Sequence, residues 1–95
     1  MTQCEKQTCE TLRLLRASKG MSIKELGERT GLSCNTIYCI ENQKKAPSLK
    51  IMKKYETFFS VSPGSILCFA ENVNFHSLNY SQRLSLVLQE FFSFQ

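Results

Sequence analysis

The sequence has no aspartate, and its only histidine is His76. Acid–base catalysis near neutral pH therefore has almost nothing to work with, since histidine is the side chain that ordinarily titrates there. No glycine-rich phosphate loop occurs either, so we read the chain as not being an enzyme. No apolar run approaches the ~20 residues that span a membrane, and the N-terminal MTQCEKQTCE has no signal-peptide core. A cytoplasmic location is expected. The five cysteines (4, 9, 34, 39, 68) form an odd set without a C-x-x-C pair. In a reducing cytosol that pattern reads as free thiols. One histidine with scattered cysteines gives no metal-ligand spacing, so neither metal nor cofactor is expected. Ninety-five residues suffice for one small hydrophobic core but leave no room for a separate effector domain, and no small-molecule site is evident.

Charge is present but unevenly placed. Between Thr11 and Lys54 stand ten Lys or Arg (13, 16, 19, 24, 29, 44, 45, 50, 53, 54) against three Glu (25, 28, 41). Both flanks are slightly acidic. A positive field confined to one segment points to a polyanionic partner.

That segment contains SIKELGERTGLSCNTIYCIEN, Ser22 to Asn42. Ser22 with Glu25 has the spacing of a capping box that starts a helix. Leu26 falls on its buried side, and Gly27 beside it permits close approach. Gly31 suits a helix stop with positive φ. Ser33 caps a second helix whose apolar edge is Ile37 and Ile40. Two helices across a short glycine-containing turn make a helix-turn-helix, whose second helix enters a DNA major groove.

The rest of the chain predicts further helices. Residues 1–4 are expected to fray. Glu5 to Lys19 forms a first helix with Cys9, Leu12 and Leu15 inward, stopped by Gly20. After a basic loop closed by Pro47, Ser48 caps a fourth helix to about Phe59 that buries Leu49, Met52, Tyr55 and Phe59. Ser62-Pro63 opens a fifth helix through about Phe69, with proline at its first position. Residues 70–80 read as a connection. From Ser81 to Gln95, Leu84, Val87, Leu88, Phe91 and Phe92 recur at helical spacing and give a sixth, amphipathic helix. The fold class is all-α.

From Leu12 to Leu67 the chain resembles the phage Cro/cI-type (XRE-type) helix-turn-helix repressors. The fragments LRLLRASKGMS, KELGERTGLS, TIYCIEN, KKAPSL and VSPGSIL carry the resemblance in order and without a gap. It implies a five-helix lambda-repressor-like DNA-binding domain over residues 1–69. Residues 70–95 then form a linker and an additional helix. The resemblance implies a structural ion pair between Arg16 and Glu41. It places Cys34, Asn35, Tyr38 and Cys39 against base edges of double-stranded DNA. Ser22, Ser33, Thr36, Asn42, Lys44 and Lys45 face the backbone, where helix N-termini and lysines meet phosphate.

Three positions depart from the family pattern. Where relatives often carry glutamine stands Ile23, and where Arg or Gln often read bases stand Cys34 and Cys39. Asn35 alone keeps a side chain suited to adenine N6 and N7, while Cys34, Cys39 or Tyr38 suit a thymine methyl. An A·T-leaning site with added shape readout follows. Cys34 and Cys39 lie about 140° apart around the helix and cannot bond each other without unwinding it. Cys34, at a helix N-terminus near lysines, is the candidate for oxidation that weakens binding.

A single small module makes few contacts, and such proteins commonly bind paired half-sites as dimers. The face formed by Leu84, Val87, Leu88, Phe91 and Phe92 either packs on its own domain or pairs with a second copy, and the homodimer is favoured. The expected function is a transcriptional repressor on a palindromic operator. The competing reading is a protein-interaction module, of antitoxin or antirepressor type, that works through the C-terminal apolar face.

Overall fold

The computed structural model describes residues 1–92. It comprises six helices: α1 (Gln3–Ser18), α2 (Ile23–Thr30), α3 (Cys34–Glu41), α4 (Leu49–Phe59), α5 (Ser65–Asn72) and α6 (Tyr80–Phe92). The expected end of the last helix at Phe94-Gln95 lies outside the described residues.

Caps explain most boundaries. The Thr2 hydroxyl accepts from Glu5 N at 3.0 Å, and the Glu5 carboxylate accepts from Thr2 N at 2.9 Å. This reciprocal box starts α1 two residues earlier than the sequence reading, so residues 3 and 4 are helical rather than frayed. Ser22, Ser33 and Ser48 cap α2, α3 and α4 through their hydroxyls. Glu25 does not return the bond to Ser22 N. Its carboxylate instead lies 3.8 Å from Arg29, one turn along. Gly31 closes α2 at φ 81°.

Two expectations about α4 and α5 are corrected. The buried face of α4 is Ile51, Tyr55, Glu56 and Phe59, while Leu49 is 65% exposed. Ile51, Tyr55 and Phe59 set the phase at four-residue steps, and Leu49, two residues before Ile51, is carried round to solvent. Pro63 does not begin α5. Ser62-Pro63-Gly64 makes a turn in which Ser65 N donates to Ser62 O, Gly64 takes φ 80°, and the buried Glu56 carboxylate accepts from Gly64 N at 2.8 Å. α5 therefore starts later and runs on to Asn72.

The core joins Cys9, Leu12, Leu14 and Leu15 of α1 to Leu26, Ile37, Ile40, Ile51, Tyr55, Phe59 and Ile66, and also to Phe75 and Val87. α1 is central, packing against α3, α5 and α6. The C-terminal segment is thus part of the same core as residues 1–69. The buried Gln7 amide donates to Ala70 O at 2.8 Å and accepts from Phe75 N at 3.0 Å, tying the α5–α6 connection to α1. Asn79 and Gln82 cap α6 reciprocally. Val87 is fully buried, and Leu84, Phe91 and Phe92 pack partly buried on the same core. Within the expected dimer stripe only Leu88, at 40%, is exposed. Among the described residues no helix is long and apolar enough to cross a membrane.

Candidate nucleic-acid interface

The site is built on the turn between α2 and α3. Gly27 is buried at the crossing, and a Cβ there would stand 2.8 Å from the Leu32 carbonyl oxygen. The close approach is therefore to the backbone of the turn itself, with Ile37 beyond it. Gly27→Ala is expected to cost about 1–3 kcal/mol through overpacking. A chemical denaturation midpoint unchanged from wild type would contradict that.

α3 is held from behind. Arg16 at the end of α1 donates from Nε and Nη2 to the two Glu41 oxygens, each at 2.7 Å. Its Nη1 donates to Met21 O at 2.6 Å, in the turn before α2. Bonding to Glu41 holds the Arg16 guanidinium above its ordinary range against a smaller opposing effect of burial. One side chain thus fixes the ends of α1 and α3 and the entry to α2. Ile37 and Ile40 anchor the inner edge of α3 in the core.

The outer edge of α3 presents Cys34 and Asn35, both exposed, and Tyr38 at 46%. Cys39 is half-buried, and its thiol makes a long contact of 3.9 Å with Asn35 Oδ1. Thr36 is half-buried at the cap, where its hydroxyl accepts from Ser33 Oγ at 2.8 Å. Asn42 is exposed but its amide donates to Tyr38 O at 2.9 Å, so one of its donors closes the helix. Gln43 follows in the left-handed region, φ 59°, which turns the chain so that Lys44 N reaches Cys39 O at 2.8 Å. The loop is thereby folded back against α3. Lys44 Nζ stands 5.3 Å from the Tyr38 ring centre, a cation–π contact that joins an expected backbone contact to an expected base contact. Lys45 is exposed beside it. Ser22 is exposed at the start of α2, its oxygen engaged by Glu25 N.

Ile23 is half-buried and packs on the core. It reinforces the scaffold. The Lys44–Tyr38 stacking and the left-handed Gln43 were not read from the sequence, because neither leaves a mark in residue type or spacing. Of the thiols, Cys9 is buried, and burial pushes it up to about 11, so it stays protonated. Cys34 is the exposed one on the outer edge of α3.

This geometry offers a helix edge of mixed polar and apolar groups flanked by lysines, the form that enters a major groove. The sequence profile of a family described as helix-turn-helix matches residues 12–66. The chain belongs to the XRE-type helix-turn-helix family. The match runs from within α1 through α2, α3 and α4 to the start of α5, and the all-α, lambda-repressor-like fold agrees with it. No match was found among curated proteins or among solved structures. Membership makes this XRE-type chain a DNA-binding transcriptional regulator, in a family whose role is not normally enzymatic.

Proposed function

We propose that the chain is a sequence-specific repressor that binds a palindromic operator as a homodimer. The observation that carries the reading is the α3 edge, exposed outward and clamped from within by Arg16 and Glu41. Repression requires only occupancy that excludes polymerase. Asn35 is the proposed adenine reader, with Cys34, Tyr38 and Cys39 lying against thymine methyls. Ser22, Ser33, Thr36, Asn42, Lys44 and Lys45 are the proposed backbone contacts.

Binding to the gene's own upstream DNA and to an unrelated duplex, each at two salt concentrations, tests this. Affinity for both is expected to fall steeply with salt, as phosphate contacts release counterions. Equal affinity for the two duplexes would rule out sequence-specific repression. Asn35→Ala is expected to lose about 1–3 kcal/mol of discrimination at one A·T pair while leaving binding to unrelated DNA intact. Unchanged discrimination would remove Asn35 from the reading set.

A second copy would double the contacts and match the symmetry of an operator. Because Val87 is committed to its own core, the proposed dimer uses the open rim of the stripe, at Leu88 on α6. Leu88→Lys is expected to yield a monomer in sedimentation at micromolar concentration with an unchanged helical spectrum. A variant that remained dimeric would exclude this rim.

A further inference from the structure

A concave surface lies between the last turn of α2 and the outer face of α4. It is a groove of about 690 Å³ whose cationic lining is Arg29, Lys50, Lys53 and Lys54, and whose apolar lining is Leu49 and Phe58. Among the described residues no carboxylate lines it. The only acid on α4 is Glu56, which is buried and bonded to Gly64 N, so it leaves the lysines unneutralised. Lys50, Lys53 and Lys54 form no ion pair among the described residues, and Arg29 has only the long exposed contact with Glu25. Lys54 is positioned by donating to Thr30 O at 3.5 Å, which draws the cationic lining toward the end of α2. Leu49, the most exposed of the large apolar side chains described, stands at the mouth.

We propose that this groove docks an acidic segment of a partner protein, one that carries an apolar side chain flanked by carboxylates. Charge complementarity supplies half of the argument, since three lysines without an ion pair, beside Arg29, attract and orient an anionic partner. The apolar lining supplies the other half. Phosphate backbone is held by charges and hydrogen-bond donors and makes no use of a leucine and a phenylalanine. A peptide does use them, because an apolar anchor seated in a groove inside a polar rim is how such segments are held. None of the residues assigned to DNA lines the groove. The partner would therefore seat on residues other than the proposed DNA contacts, and the groove is a reading beyond repression.

The test is selection of dodecamer peptides from a random displayed library against the full chain, followed by binding measurements on the variants Leu49→Ser and Lys53→Glu/Lys54→Glu. Leu49 and Lys53 are exposed and Lys54 is half-buried, and circular dichroism verifies that each variant folds. The expected consensus has a Leu- or Phe-type residue with neighbouring Asp or Glu. The selected peptide is expected to bind each variant at least about tenfold more weakly than wild type, the loss typical of removing an interface anchor. Affinity of Leu49→Ser for duplex DNA is expected to be unchanged. Several results overturn the proposal. One is no enrichment, or a consensus without acids, or equal binding to the variants. Another is a tenfold loss of duplex affinity in the lysine variant with none in Leu49→Ser, which would make the groove a DNA backbone seat. A third is self-association of the wild type that Leu49→Ser abolishes, which would make the occupant a second copy.

Discussion

Ending the chain after Ala70 is expected to abolish cooperative thermal unfolding. The matched family segment stops at residue 66, so the remainder could be mistaken for a removable arm. The packing argues otherwise. Truncation removes Phe75 and Val87, both buried, from the side of α1 that they cover. It also removes Leu84, Leu86 and Phe91, which pack partly buried on the same core, and Phe91 lies edge-on to Phe69 at 5.3 Å. Each fully buried apolar side chain contributes about 1.5–3 kcal/mol, so Phe75 and Val87 together account for roughly 3–6 kcal/mol. A small domain has a margin of about 5–15 kcal/mol, and the partly buried residues add to the loss. Polar terms act in the same direction. Gln7 loses Phe75 N, and Glu10 loses Arg83, which stands 3.5 Å from its carboxylate in addition to Arg13 at 2.6 Å. The fragment should show a broad, shallow melt by circular dichroism and exposed apolar surface by dye binding. A sharp transition within a few degrees of the full chain would mean that α6 rests on the domain without supporting it.

What was legible in the sequence is what local chemistry fixes. Ser22, Gly31 and Ser33 mark the ends of two helices by capping and by positive φ, and Ile37 and Ile40 mark the inner edge of α3 by spacing. Those signals operate within one or two turns. Leu49 was misread because an apolar residue just after a cap looks buried until the phase of the whole helix is known, and Ile51, Tyr55 and Phe59 set a different phase. Pro63 was misread because proline suits both a helix start and the turn that Gly64 completes. The α6 stripe shows that periodicity identifies an apolar face without saying what covers it. Its cover includes α1, and the bonds that bring the connection back to α1 join Gln7 to residues 63 and 68 positions away. No local pattern encodes such a clamp. In the interface the same division holds. The scaffold was readable, whereas the Lys44–Tyr38 contact depends on a left-handed glutamine that nothing in the sequence announces.

Arg16→Ala is expected to destabilise the protein by about 3–5 kcal/mol, the range for stripping one partner from a buried ion pair. The asymmetry of the pair predicts which variant suffers more. The Glu41 side chain is 3% exposed and the Arg16 side chain 19%. Without Arg16 the Glu41 carboxylate is stranded in the interior, and the Met21 carbonyl loses its donor as well. Without Glu41, Arg16 still bonds Met21 O and reaches water, so Glu41→Ala should fall nearer ~3 kcal/mol. The double variant Arg16→Ala/Glu41→Ala should cost less than the sum of the two, because each single change includes the penalty of leaving the other charge alone. Replacing both by apolar residues of similar size, Arg16→Met/Glu41→Leu, should recover most of the stability. Arg16→Lys should recover little, since an ammonium cannot make two parallel bonds to Glu41 and a third to Met21 O. DNA binding separates stability from positioning. The apolar pair fills the space but releases the directional bonds that set the end of α3 against α1. It should therefore keep most of its melting temperature while losing discrimination between operator and unrelated duplex at a temperature where it is fully folded. If discrimination instead tracks stability across all five variants, the pair acts on the interface only by keeping the domain folded.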